Sequence, residues 1–139
     1  MPPQTRWFIR TALVYLVAAL LVGVALMLGP LLNLPPVLSA LQPVYFHLLM
    51  VGWVTQLIFG VVFWMFPKQS SERPRGSDRL GWATYWLLNI GLLLRAVGEP
   101  LVALLPAAGA GWLLAASAAL QLLAGWAFVA NTWARVKGR

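Results

Sequence analysis

Long apolar stretches separated by short polar connections dominate the pattern of this chain. Four of them are long enough to cross a bilayer as helices at about 1.5 Å per residue. They cover about residues 7–32, 43–66, 80–105 and 108–134. The pattern predicts an all-α membrane protein with four transmembrane helices, arranged as an up-down bundle or an arc within a single domain spanning residues 1–139.

Composition supports the same class. The chain is 61% hydrophobic and 9% charged, with a mean hydropathy of +0.81. Soluble domains are about 25% charged, so this chain has too little polar surface to face water all round. We expect a multi-pass protein of the cell's inner or plasma membrane, surrounded by the lipid bilayer. Because the chain has no cysteine, disulfides, thiolate metal sites and iron–sulfur clusters are excluded.

The net charge of +7 has a positional pattern. Basic residues occur before the first stretch, between the second and third, and after the fourth: Arg6, Arg10, Lys68, Arg73, Arg75, Arg79, Arg135, Lys137 and Arg139. The two remaining connections carry none. The positive-inside rule therefore predicts that both termini and the middle connection are cytoplasmic, N-in and C-in. These charges flank apolar spans instead of forming a stripe between aromatics, so nucleic-acid binding is not expected.

Three ionisable side chains fall within the apolar stretches. His47 is the only histidine, and it lies about 6 Å below the outer end of its stretch at Pro43. In the third stretch Arg95 and Glu99 are four residues apart, so they share a helix face and can pair. Measured from Leu105, Glu99 lies about 9 Å deep and Arg95 about 15 Å deep. All three are therefore expected in one outer layer of the membrane.

This layer has a structural and a functional interpretation. In the structural one, Arg95 and Glu99 neutralise each other and His47 hydrogen-bonds a neighbour. In the functional one, His47 supplies a nitrogen ligand, Arg95 holds an anionic group and Glu99 orients it or relays a proton. Tyr45, beside His47, is a further candidate cofactor contact, although an aromatic residue there more often serves packing.

A second polar layer lies nearer the middle of the membrane. It consists of Gln56, Asn89 and Gln121, one on each of the last three stretches. Gly52, Gln56 and Gly60 are spaced by four on one face, which favours close helix packing with an amide bridging across. We interpret this layer as structural.

The second stretch resembles the heme-ligand helix of the heme–copper oxidase superfamily, which includes the nitric oxide reductases. The matching residues are His47, Gly52, Trp53, Gly60, Trp64, Met65 and Pro67. The run from Leu88 to Pro100 is similar to the following helix in small relatives.

The resemblance implies that the chain corresponds to one of the three four-helix arcs of the catalytic subunit. It further implies heme b with His47 as axial ligand and Arg95 on a propionate, and a role in electron transfer or in binding oxygen or nitric oxide. A homo-oligomer would follow. A trimer, which is favoured, would rebuild the barrel of three arcs, whereas a dimer would bring two His47 residues to one iron. The family's other histidines, including its copper ligands, have no counterpart here, so a complete oxidase is not expected from one chain.

Two alternatives stay open at the level of sequence. One is a cofactor-free accessory or scaffold subunit of a respiratory complex, in which His47, Arg95 and Glu99 hold helices together. The other, ranked lowest, is a small proton channel or transporter that uses His47 and Glu99 as a relay.

Overall fold

The fold consists of helices joined by short connections. A computed structural model describes residues 1–72, 74–106 and 109–136. The helices in chain order are α1 (Pro3–Leu31), a 3₁₀ helix (Pro36–Leu41), α2 (Gln42–His47), a π-helical segment (Leu48–Thr55), α3 (Gln56–Met65), α4 (Asp78–Leu104), α5 (Gly111–Thr132) and a 3₁₀ turn (Trp133–Arg135).

Four of these stretches are long and apolar enough to cross a membrane. They are Pro3–Leu31, Val37–Met65, Asp78–Leu104 and Gly111–Arg135; we call Val37–Met65 the second span. The predicted fold class is confirmed, whereas the cytoplasmic location of both termini stays a prediction. The predicted start of the fourth stretch at Ala108, like Arg73, Lys137 and Arg139, lies outside the described residues.

Two of the helix starts that differ from the predicted bounds have a local reason. The helix of the second span begins at 37 instead of 43, because a 3₁₀ helix precedes α2 and continues into it. α4 begins at Asp78 because Ser77 caps it: the Ser77 hydroxyl accepts a hydrogen bond from the Leu80 amide at 3.4 Å. The carboxylate of Asp78 also lies in the first turn, where the helix dipole favours negative charge.

Glycines allow α1 and the second span to approach closely. α1 packs mainly against the second span, and α4 mainly against α5. A Cβ atom at Gly52 would lie 2.8 Å from Cγ of Tyr15, and one at Gly60 would lie 2.9 Å from Cβ of Phe8. The close packing predicted for these two positions is therefore present, and a side chain at either would force the helices apart.

The start of α1 and the end of α5 lie at one end of the bundle together with the connection between α3 and α4. The Gln4 side chain donates to the carbonyl of Asp78 at 2.9 Å, and the Ser77 amide donates to Oδ1 of Asn131 at 2.7 Å. We call this the termini end. The opposite end, with the connection between α1 and the second span, α2 and the last turns of α4, is called the His47 end.

Large apolar side chains cover the outside of the bundle. Leu21, Met27, Trp112 and Trp126 are each more than half exposed within the chain. Only 11% of an apolar 18-residue stretch of the last span is buried inside the protein. Such a surface is stable in hydrocarbon and not in water, which agrees with the predicted bilayer environment.

Candidate functional site

His47 is the last residue of α2 and is half-buried. Its Nδ1 lies 2.8 Å from the carbonyl oxygen of Pro43, one turn earlier in the same helix. Because a carbonyl oxygen only accepts, Nδ1 carries the proton and donates it. In a neutral imidazole Nε2 then has its lone pair free, and among the described residues it has no hydrogen-bond partner. This tautomer is the one in which a histidine ligates a metal through Nε2.

The π-helical segment begins directly after His47. It runs from Leu48 to Thr55, and the hydroxyl of Thr55 donates to the carbonyl of Met50 at 2.8 Å. A π-helix is wider than an α-helix, and glycine at position 52 lets the wide backbone contact α1 and α4. Segments of this kind occur frequently at functional sites. The apolar pattern alone predicts one continuous α-helix, so sequence reasoning did not find this feature.

Arg95 and Glu99 form the ion pair that their spacing predicts. Nη2 of Arg95 lies 2.9 Å from Oε1 of Glu99, and the side chains are 25% and 16% exposed. Nε of Arg95 is buried and has no hydrogen-bond partner among the described residues. The guanidinium group is thus only partly satisfied by Glu99, and it retains a donor for a further acceptor.

His47 and Arg95 lie at the same level of the bundle. Val44 and Leu48, which flank His47 in the helix, share a core cluster with Leu92, and Ala96 packs against this cluster. Arg95 stands between those two α4 residues in sequence. Among the described residues, however, no hydrogen bond or ion pair joins His47 to Arg95 or Glu99. The structure thus gives the two groups a common depth without direct pairing.

Tyr45 occupies a different face of α2 from His47. Residues two positions apart in a helix are separated by about 200° around its axis. The Tyr45 ring packs on α1, where a Cβ atom at Gly23 would lie 2.9 Å from its Cε2, and it contacts the Phe46 ring at a centroid distance of 5.3 Å. Packing accounts for these contacts, whereas the predicted role of Tyr45 as a cofactor contact stays a prediction.

A cavity of about 810 Å³ opens beside Tyr45, between the last turns of α1, the following connection and α2. Residues that line it include Gly23, Met27, Leu38, Gln42, Tyr45 and Phe46. His47, Arg95 and Glu99 are not among its lining residues. This cavity is therefore separate from the candidate ligand nitrogen.

In the predicted middle layer Gln56 and Asn89 are buried and Gln121 is half-buried, but their amides do not bond to one another. Asn89 donates to the carbonyl of Tyr85 in its own helix at 2.8 Å. Gln121 donates to the hydroxyl of Ser117 at 3.1 Å, and that hydroxyl donates to the carbonyl of Gly91 at 2.6 Å. The link between α4 and α5 therefore runs through Ser117.

Gln56 is the third member of that layer and has a different environment. It is fully buried, and neither of its amide atoms has a hydrogen-bond partner among the described residues.

At the opposite end Arg135 has a role that sequence reasoning missed. It is 1% exposed. Its Nε donates to the carbonyl of Pro67 at 3.0 Å, and its Nη2 donates to those of Phe63 and Phe66 at 3.2 and 2.7 Å. These carbonyls terminate α3, so Arg135 caps that helix from another part of the chain. The charge pattern indicated a topology signal only, because a long-range cap has no local signature.

Comparison with known proteins bears directly on this site. Residues 3–105 match the model of the family described as cytochrome c and quinol oxidase polypeptide I. The chain belongs to this family. The matched region contains α1, the second span and α4, and therefore His47, Arg95 and Glu99. The resemblance of the second span to the heme–copper oxidases is thus confirmed at the level of the family. No curated protein and no solved structure matches the chain.

Among the described residues, no group of three or more histidine, cysteine, aspartate or glutamate side chains is close enough to hold a metal ion. A heme iron differs from such a centre, because its porphyrin supplies the equatorial ligands and the protein supplies only axial ones.

Proposed function

We propose that this relative of oxidase subunit I binds heme b in the membrane, with Nε2 of His47 as an axial ligand. The observation that carries the proposal is the hydrogen bond from Nδ1 of His47 to the carbonyl of Pro43 at 2.8 Å. It orients the ring and, in the neutral imidazole, makes Nε2 the unprotonated nitrogen. A bound heme b would supply an iron suited to one-electron transfer or to binding a diatomic gas.

Arg95 suits the anionic edge of such a group. Its side chain lies at the depth of His47, is partly exposed and has a buried Nε with no partner. A propionate carboxylate would satisfy this donor, since an arginine can bind two carboxylates with different edges of its guanidinium. Glu99 would then hold the other edge of Arg95 and fix its rotamer.

Because each chain has a single histidine, the proposal includes the oligomeric state of the protein. One chain contributes one histidine, so ligation by two imidazoles takes a second copy. We propose a homo-oligomer in the inner or plasma membrane, a trimer in preference to a dimer, that exchanges electrons with a respiratory-chain partner. The partial exposure of His47 supports this, because the face of α2 that carries it is not closed off within one chain.

An absorption spectrum of the purified full chain tests heme binding. We expect a Soret band that shifts on reduction with dithionite, and its loss in His47→Ala. Gln42→Ala is the matched control, because Gln42 is exposed on the same helix and should keep the band. A folded, colourless wild-type protein, also after incubation with hemin, would refute the proposal.

The oligomer is tested separately by the heme content and mass of the detergent-solubilised protein. Two-imidazole ligation predicts one heme for each pair of His47 residues, which is one heme in a dimer and one heme in a trimer, where the third imidazole is left over. Its spectrum should be that of six-coordinate low-spin iron. One heme per chain in a monomeric particle would refute the shared site while leaving heme binding intact.

The Arg95–Glu99 ion pair favours a second candidate, a cofactor-free accessory or scaffold subunit of a respiratory complex. At 2.9 Å the two charges neutralise each other without any ligand. This candidate predicts co-purification with other oxidase subunits. It also predicts a stability that falls in Glu99→Gln while no chromophore is found in any preparation.

A further inference from the structure

Gln56 and Asn89 present buried amide atoms that the protein itself does not satisfy. Gln56 is 0% exposed, and neither Nε2 nor Oε1 has a partner among the described residues. Asn89 is 6% exposed, and its Nδ2 donates to Tyr85 while its Oδ1 is buried and unpartnered. Buried polar atoms in native proteins are almost always paired with protein or with ordered water.

The helix register brings the two amides to the same level. The second span and α4 run in opposite directions, and a Cβ atom at Gly52 would lie 2.9 Å from Cδ2 of Leu92. Gln56 is four residues after Gly52, and Leu88 is four residues before Leu92. Gln56 therefore lies at about the level of Leu88 and its neighbour Asn89, on the termini side of the Gly52–Leu92 contact.

The unsatisfied atoms are complementary, with a donor at Gln56 Nε2 and an acceptor at Asn89 Oδ1, and yet they do not bond to each other directly. A molecule that accepts from one and donates to the other is required. Water does both. A metal cation is a poor fit, because neither side chain carries a charge that would compensate it.

We propose that Gln56 and Asn89 form an internal hydration site in the middle of the membrane. It holds at least one water molecule, which accepts a hydrogen bond from Nε2 of Gln56 and donates one to Oδ1 of Asn89. The water links the second span to α4 at a level where these helices share no direct hydrogen bond among the described residues. This site is independent of heme at His47.

Water-edited solid-state NMR of the full chain in liposomes tests the site. In protein with ¹⁵N-labelled glutamine and asparagine, the side-chain amide signal of Gln56 should receive magnetisation from water several-fold faster than that of Gln121. Gln121 is the matched control, since it lies in the same predicted layer but already donates to Ser117. Gln56→Met and Gln121→Met assign the two signals, because each removes one.

Asn89→Leu removes one partner of the water and should slow the transfer to Gln56 severalfold, with an unchanged helical circular dichroism spectrum. If this variant fails to fold, the wild-type comparison of Gln56 with Gln121 decides alone. A Gln56 signal that receives magnetisation no faster than Gln121 would overturn the proposal, as would a direct Gln56–Asn89 hydrogen bond. A Gln56 signal that moves when sodium and potassium are replaced by a large organic cation would also overturn it, in favour of an ion.

Discussion

The two ends of the bundle are built in opposite ways. At the termini end, aromatic rings interlock: Phe8 and Tyr85 contact at a centroid distance of 5.2 Å, and Phe59 and Phe128 stack at 3.8 Å. Arg135 binds three backbone carbonyls there. At the His47 end a cavity of about 810 Å³ opens, and the sole histidine keeps a nitrogen without a partner.

The difference separates stability from binding. Close aromatic packing and the capped carbonyls of α3 stabilise the termini end, although Thr5 Oγ1 and Arg135 Nη1 are buried there without a partner among the described residues. At the His47 end, the cavity and the Nε of Arg95, which has no partner in the described part of the chain, leave capacity for a ligand. A ligand site needs groups that the protein does not use for itself. Substitutions at the two ends test this division.

Arg135→Met should be the most destabilising change, by about 3 kcal/mol in the free energy of unfolding. It removes three charge-assisted hydrogen bonds and leaves buried carbonyls at the end of α3 unpaired. Unfolding of the reconstituted protein in a detergent titration measures the loss. Arg79→Met, at an exposed position of the same end, is the control and should change stability by less than about 0.5 kcal/mol. Equal losses in both variants would show that Arg135 acts only through its charge.

Alanine in place of glycine should cost more at the termini end than at the His47 end. A Cβ atom at Gly60 would meet Cβ of Phe8 at 2.9 Å and Ile9 at 3.3 Å, inside fixed packing. At Gly23 it would meet only the ring of Tyr45, which borders the cavity and can move. We expect a loss of about 2 kcal/mol for Gly60→Ala and less than about 1 kcal/mol for Gly23→Ala.

Gly125→Ala is the control for this pair, because nothing lies within 4 Å of the added atom. Its thermal midpoint should stay constant or rise slightly, as alanine has the higher helix propensity. A larger loss at position 23 than at position 60 would contradict the division between the two ends.

Glu99→Gln should destabilise the protein by about 1 kcal/mol, between the values for exposed and fully buried ion pairs. It leaves the guanidinium of Arg95 partly buried without its partner. The double variant Arg95→Gln with Glu99→Gln should recover part of the loss, since no unpaired charge remains. Thermal midpoints of the four members of this cycle give the coupling, and strictly additive effects would exclude an energetic role for the pair.

His47→Ala should have the smallest effect on the fold, less than about 1 kcal/mol when measured on protein without heme. The described hydrogen bond of His47 goes to its own helix, at Pro43. Leu48→Ala is the contrasting variant, because the adjacent Leu48 is 7% exposed in the core cluster and its truncation should cost at least about 2 kcal/mol. Equal losses in the two would assign His47 a structural role.

Much of the architecture follows from local pattern. The four apolar stretches predict four spanning helices, and the structure has them. The spacing of Arg95 and Glu99 predicts their ion pair, because four residues make one turn. The spacing of Gly52 and Gly60 likewise predicts a close helix contact, since glycine is the residue that permits one. Each of these properties depends on residues near one another in the chain.

The remaining features depend on contacts between distant residues. Arg135 caps α3 across 68 to 72 positions of sequence, and no periodicity reports such a partner. The π-helical segment after His47 also cannot be predicted from the pattern, because an apolar run is compatible with both an α-helix and a π-helix. Gln56 was expected to bridge helices with its amide, and only the packed structure leaves that amide without a protein partner.

The sequence by itself thus determined the membrane class, the four spans and the family, because hydrophobicity, length and motif are properties of the chain read in order. The packed structure decided which nitrogen of His47 is free, where the cavity lies and which end is rigid. Those properties arise from helices meeting in three dimensions, where a hydrogen-bond partner or an empty space is set by residues far apart in sequence. For His47, the sequence predicted an imidazole within the membrane, and the structure showed that its Nε2 has no partner among the described residues.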